Sequence, residues 1–207
     1  MFAVERNGTE PAIVFVHGFC QSSAYWAPSL DRVAQHGIRG FAVDLPGFGA
    51  SSKEAGPYTM EGLADALAAQ LDAWGVGHSI VLVGGSMGGV VAQHFTLRHP
   101  QRVERLLLVA TGGFTPNVTL ALEKADALSA ATWNEEIVTP VVAGFFHQPP
   151  SAAILAEYRK IAMSASQTAA IEAARSNATN RSFDDLASIR VPTMIIQGRH
   201  DRGRLRR

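Results

Sequence analysis

Five short apolar runs punctuate the chain: "AIVFV" (Ala12–Val16), "FAV" (Phe41–Val43), "IVLV" (Ile80–Val83), "RLLLVA" (Arg105–Ala110) and "TMIIQ" (Thr193–Gln197). Each is continuous rather than alternating, the pattern of a strand covered on both faces in a parallel sheet. Between them, helical patterns run over Ser23–Gln35, Met60–Trp74 and Met87–Arg98. Thr59 is placed to cap the second of these helices at its start and Gly75 at its end. Strand–helix alternation of this kind implies right-handed crossovers and an α/β layered fold. "FAVERNG" at the start predicts one further edge strand.

The alternation lapses between Gly112 and Ser188. There "NVTLALEKADALSAATW", "NEEIVTPVVAGFFHQ" and "SAAILAEYRKIAMSASQTAAIEAARS" read as helices, broken by turn residues at Pro116-Asn117 and Pro149-Pro150. The expected organisation is a first part of the core over residues 1–111, a helical cap insertion over 112–188 that covers one edge of the sheet, and a return to the core over 189–207.

Composition narrows the class. A chain of 207 residues with 47% apolar and 17% charged residues describes one folded, soluble domain. Its formal net charge of zero argues against nucleic acid or an anionic membrane as an obligatory partner. Cys20 stands alone, so no internal disulfide forms, and a reducing compartment fits. "MFAVERNGTE" lacks the basic start and apolar core of a secretory signal, and no apolar run reaches the ~20 residues of a bilayer span. A cytoplasmic protein is the expectation; these features leave the oligomeric state open.

Gly84-Gly85-Ser86-Met87-Gly88 matches G-x-S-x-G. The pattern alone is weak; its position is not, because it directly follows a buried strand and opens a helix. On so sharp a turn, side chains two residues before and after the serine would collide, which Gly84 and Gly88 avoid. The turn would lift the Ser86 Oγ above the strand end and aim the Met87 N–H, at a helix start, into the same space to hold an oxyanion. A competing reading is a phosphate-binding loop, but G-x-x-x-x-G-K-[ST] is absent and no lysine lies near.

With these residues the chain resembles the α/β-hydrolase superfamily, over nearly its whole length. "VFVHGF" (Val14–Phe19) is similar to the family's His-Gly loop, in which the Phe19 N–H would complete the oxyanion hole and His17 and Gly18 would support it. "VDLPGFGAS" (Val43–Ser51) resembles the D-x-P-G-x-G-x-S turn, and "VPTMIIQGRHD" (Val191–Asp201) the strand and G-x-x-D loop that carry the catalytic acid, here Asp201. The resemblance implies a mostly parallel sheet of the α/β-hydrolase type with a helical cap. Around the site, Cys20 reads as packing and Tyr25-Trp26 as the anchor of the first helix. Trp133, Phe145 and Phe146 either line a substrate pocket or glue cap helices together.

The resemblance also implies a triad in the order Ser, acid, His, and after Asp201 the sequence reads only "RGRLRR". His36, His78, His94 and His99 read as surface or packing residues, His147 falls in the cap, and His200 adjoins Asp201, so none suits the base. The expectation is a chain whose final strand, histidine loop and last helix are missing, leaving an exposed edge strand and a tendency to aggregate. The activity implied is a serine hydrolase that cleaves small carboxylic esters or lactones through a Ser86 acyl-enzyme, with no metal and no cofactor. C–C bond hydrolysis, cofactor-free haloperoxidase (perhydrolase) chemistry and a catalytically inert ligand-binding module stay open. Serine at the elbow departs from the aspartate of haloalkane dehalogenases and epoxide hydrolases.

Overall fold

The computed structural model describes residues 1–54, 56–77, 79–111 and 117–201, apart from the side chain of Phe183. Among the described residues six strands form one sheet: β1 (Phe2–Arg6), β2 (Thr9–Val16), β3 (Ile38–Asp44), β4 (Ile80–Gly85), β5 (Val103–Val109) and β6 (Thr193–Ile196), in the order β1-β3-β2-β4-β5-β6. β1 runs antiparallel to β3, and every other pairing is parallel. The five continuous apolar runs are therefore strands, and "FAVER" is the edge strand its position suggested.

Crossovers supply the cover. Helices α1 (Ala27–Gln35), α2 (Met60–Ala73) and α3 (Met87–Arg98) connect β2 to β3, β3 to β4 and β4 to β5. Alternate strand residues face opposite sides. Val14, Val16, Ile80 and Leu82 join the buried stripe of α2 (Met60, Leu63, Leu67, Leu71) and Val90, Val91 and Phe95 of α3. Phe15, Ala42 and Val83 point the other way, onto Trp26 and Leu30. The cover thins towards β6, where Leu107 and Val109 are half-buried and Met194, Ile195 and Ile196 are 58%, 60% and 49% exposed.

Element ends follow local chemistry. The Thr59 hydroxyl accepts from the Gly62 N–H at 3.0 Å, capping α2. At the other end Gly75 adopts φ +64°, with Val76 N–H donating to Leu71 C=O at 2.9 Å and Gly75 N–H to Asp72 C=O at 3.0 Å, a Schellman closure. The first predicted helix divides: Ser23–Trp26 is a 3₁₀ turn begun by the Ser22 side chain, and α1 starts at Ala27 with Pro28 in its first turn.

Between β5 and β6 lie α4 (Val118–Ala130), α5 (Glu135–Ala143), α6 (Ala152–Met163), α7 (Gln167–Thr179) and the single turn α8 (Ser182–Asp185). This segment was expected to cover a sheet edge, and it does not: β6 stays exposed. The helices dock on loops that leave the carboxyl ends of the strands. Ser166 N–H donates to Gly47 C=O at 2.8 Å, and Met60 N–H donates to the Ser176 hydroxyl at 2.9 Å. Small residues on α7 permit this approach, since Ala169 and Ala173 are buried in the main core and a Cβ on Gly47 would clash with Ala169. Val138, Val142, Ala162 and Ala170 pack on Cys20 and Phe19, tying the insertion to the His-Gly loop. No helix of the described residues is long and apolar enough to cross a membrane.

Candidate active site

Ser86 sits where β4 gives way to α3, with φ 51° and ψ −117°, a conformation that non-glycine residues rarely hold and that costs of order 1–3 kcal/mol. Three bonds hold the bend: Ser86 N–H donates to Val109 C=O at 2.9 Å, and Ser86 C=O accepts from Gly89 N–H at 3.0 Å and from the Thr111 hydroxyl at 2.8 Å. Close approach explains the glycines. A Cβ on Gly84 would lie 2.5 Å from Gly88 C=O, and one on Gly88 would meet the carbonyls of Val16 and His17. Gly89 has the same constraint against Thr111. Sequence reading passed over Thr111; Gly89, the fourth glycine of "GGSMGG", was its only trace.

The His-Gly loop lies alongside, close enough that a Cβ on Gly18 would be 3.2 Å from the Ser86 Cβ. Its turn carries Cys20 at φ 52° and is fastened by Gln21, whose Oε1 accepts from Gly18 N–H at 2.9 Å. Gln21 is a second residue that sequence reading missed, since a glutamine in a loop advertises nothing. The Met87 N–H, at the first position of α3, has no intrahelical acceptor. Among the described residues neither it nor the Phe19 N–H meets an acceptor.

His17 is buried and spoken for. Its Nδ1 donates to Gly18 C=O at 2.8 Å and its Nε2 accepts from Leu45 N–H at 3.0 Å, which defines the neutral Nδ1–H tautomer. Burial pushes its pKa below the usual histidine value, against the opposing pull of the Gly18 carbonyl and the Asp44 charge. Asp44 organises the next turn by accepting from the Ser23 and Ala50 N–H groups. Burial pushes the Cys20 thiol far above its ordinary pKa, so it stays protonated and cannot act as a thiolate nucleophile.

These loops frame a cavity of about 750 Å³. Ser86, Phe19, Gln21, Tyr25 and Val109 line it from the core, Phe145, Phe146 and His147 from the segment after α5, and Arg199, His200 and Asp201 from the loop after β6. Ser86, Phe19 and Asp201 are thus brought to one space. Asp201 N–H donates to Gly198 C=O at 3.1 Å, and its carboxylate accepts from Gln197 Nε2 at 2.6 Å. His147 and His200 stack in the same cavity, with ring centroids 4.3 Å apart and planes 9° from parallel.

The aromatic residues sort themselves. Trp133 packs into the core and under the insertion, whereas Phe145 and Phe146 line the cavity, Phe146 backed by Tyr158 at 5.0 Å. Trp26 anchors the first helix on Phe15 at 5.2 Å. Tyr25, expected to share that role, also lines the cavity, its ring meeting Trp26 edge-to-face with centroids 4.9 Å apart and planes at 80°. His94 meets Asn180 at 2.7 Å, His99 rests on Phe95 at 5.2 Å and His36 is exposed at the end of α1. His78 lies outside the described residues.

A mostly parallel sheet with a glycine-flanked serine on a strand–helix turn, lining a cavity that it shares with the turn after α5 and the loop after β6, defines the class. Residues 11–137 match the family model of the alpha/beta hydrolase fold, and the chain belongs to that family. It is 34% identical over 128 residues to a pimeloyl-[acyl-carrier protein] methyl ester esterase of Pseudoalteromonas atlantica, a stretch covering 56% of this chain and 47% of that protein. The matched stretches span about a third to a half of the curated relatives' length. Among solved structures, a hydrolase from Pseudomonas aeruginosa superposes with a TM-score of 0.86 at 24% identity, over 95% of this chain and 75% of that one. An esterase from Thermogutta terrifontis gives 0.79 at 27% identity, over 94% and 73%. Relatives and neighbours include esterases, lipases and lactonases.

Proposed function

We propose that this chain carries the acyl-transfer site of a serine hydrolase acting on small carboxylic esters or lactones. The observation that carries the reading is the strained turn that sets Ser86 in one cavity with the Phe19 loop and Asp201. Ser86 Oγ attacks the carbonyl carbon, and the carbonyl oxygen takes up negative charge between the Phe19 and Met87 N–H groups. Collapse expels the alkoxide as an alcohol and leaves an acyl-enzyme, which water then cleaves to the free acid. Asp201 is the carboxylate assigned to orient the imidazole that takes the Ser86 proton.

That imidazole is assigned to no described histidine. Both His17 nitrogens are engaged, His36, His94 and His99 lie on other surfaces, and His147 and His200 are stacked on each other. The same engagement favours a second reading, in which the fold binds ligands in the cavity without turnover. The two separate in a stopped-flow experiment with p-nitrophenyl acetate. The hydrolase reading predicts a p-nitrophenol burst, slowed for want of that imidazole, that disappears in Ser86→Ala, whereas equal traces for the two proteins support the inert module.

A further inference from the structure

We propose that the loop after β6 and the end of the insertion form an anion subsite inside the Ser86 cavity, selecting ligands whose acyl chain ends in a carboxylate. What is hydrolysed there rests on the serine-hydrolase reading; the subsite itself is a statement about binding.

Arg6, Arg39, Arg98, Arg102, Arg159 and Arg175 each pair with a carboxylate. Arg199 is exposed where it lines the cavity and, like Arg32 and Arg190, has no carboxylate within ion-pair distance among the described residues. Its guanidinium offers a planar fork matched to a carboxylate. The stacked pair, His147 and His200, adds at least one N–H donor per ring in the neutral state. Among the described lining residues Asp201 is the single carboxylate, and the Gln197 amide already donates to it at 2.6 Å.

The rest of the lining fits a methylene chain. Phe19, Val109, Phe145 and Phe146 give the same cavity apolar surface. A cavity of about 750 Å³ is of the size that holds a small organic molecule. The preferred substrate class is accordingly the hemiester of a short dicarboxylic acid, with the ester at Ser86 and the free carboxylate at Arg199.

The test uses unreactive analogues on the whole chain. The imidazole signals of His147 and His200 are followed by NMR at pH 7.5 while adipic acid monoamide or hexanamide is titrated in at constant ionic strength. The two ligands differ only in the terminal carboxylate. The monoamide is expected to saturate at about tenfold lower concentration or less, the advantage to vanish in Arg199→Gln and to persist in part in Arg199→Lys. Equal affinities, an advantage untouched by Arg199→Gln, or shifts reproduced by sodium chloride alone would overturn the subsite. A parallel burst measurement with p-nitrophenyl acetate keeps the two claims apart. No burst together with a monoamide preference removes the hydrolase reading and leaves the subsite standing. A Ser86-dependent burst without that preference removes the subsite alone.

Discussion

Replacing Ser86 by glycine and by alanine gives a comparison in which the expected order is the reverse of the usual one. In ordinary helix or strand positions glycine is the less stable choice by roughly 0.5–1 kcal/mol. At φ 51° and ψ −117° an alanine keeps the Cβ and its strain of about 1–3 kcal/mol, whereas glycine releases it. Against that release stands glycine's extra freedom in the unfolded chain, about 0.4–1 kcal/mol. The net expectation is that Ser86→Gly is more stable than Ser86→Ala by about 1–2 kcal/mol. In a chain of 207 residues this corresponds to roughly 2–8 °C in the thermal midpoint. Urea unfolding followed by circular dichroism reads it directly as a shift in midpoint at constant slope. A Ser86→Ala protein as stable as Ser86→Gly, or more so, would show that the turn stores no strain.

Three further outcomes follow from the packing. His17 is held neutral by burial, so between its depressed folded pKa and the unfolded value of ~6.5 the unfolded chain binds the extra proton. Stability then falls as pH drops below about 6.5, and urea midpoints at pH 7.5 and 5.5 check it; a flat profile would contradict it. The Cys20 thiol, buried and pushed up in pKa, should resist iodoacetamide in the native protein and react on unfolding, as mass spectrometry would show. Ile195, 60% exposed on the β6 edge, can become lysine with a stability change within about 0.5 kcal/mol. Light scattering on heating should then fall, and unchanged scattering would mean that β6 does not drive association.

What the sequence made legible was local. Continuous apolar runs located β2 to β6 because a strand covered on both faces needs no partner to explain its composition. Gly75 and Thr59 were readable as caps because the bonds they make stay within their own helix. The glycines around Ser86 were readable because one tight turn sets their neighbours. What escaped depends on partners far along the chain. Gln21 and Thr111 acquire roles only when the His-Gly loop and the end of β5 meet the serine turn. The insertion was placed over a sheet edge because its helices carry no mark of where they dock; Gly47 against Ala169 and Met60 against Ser176 decide that. Likewise the stacking of His147 on His200 joins segments more than fifty residues apart, and neither histidine alone suggests the other.

The proposed function turns on the bend at Ser86, which brings its hydroxyl to a cavity shared with Asp201. A fluorophosphonate probe followed by peptide mass spectrometry tests it most directly, because phosphonylation requires a reactive serine and reports which one. A single adduct on Ser86, absent in Ser86→Ala and slowed in Asp201→Asn, is expected. A wild-type chain left unmodified, or one labelled equally at other serines, would contradict it.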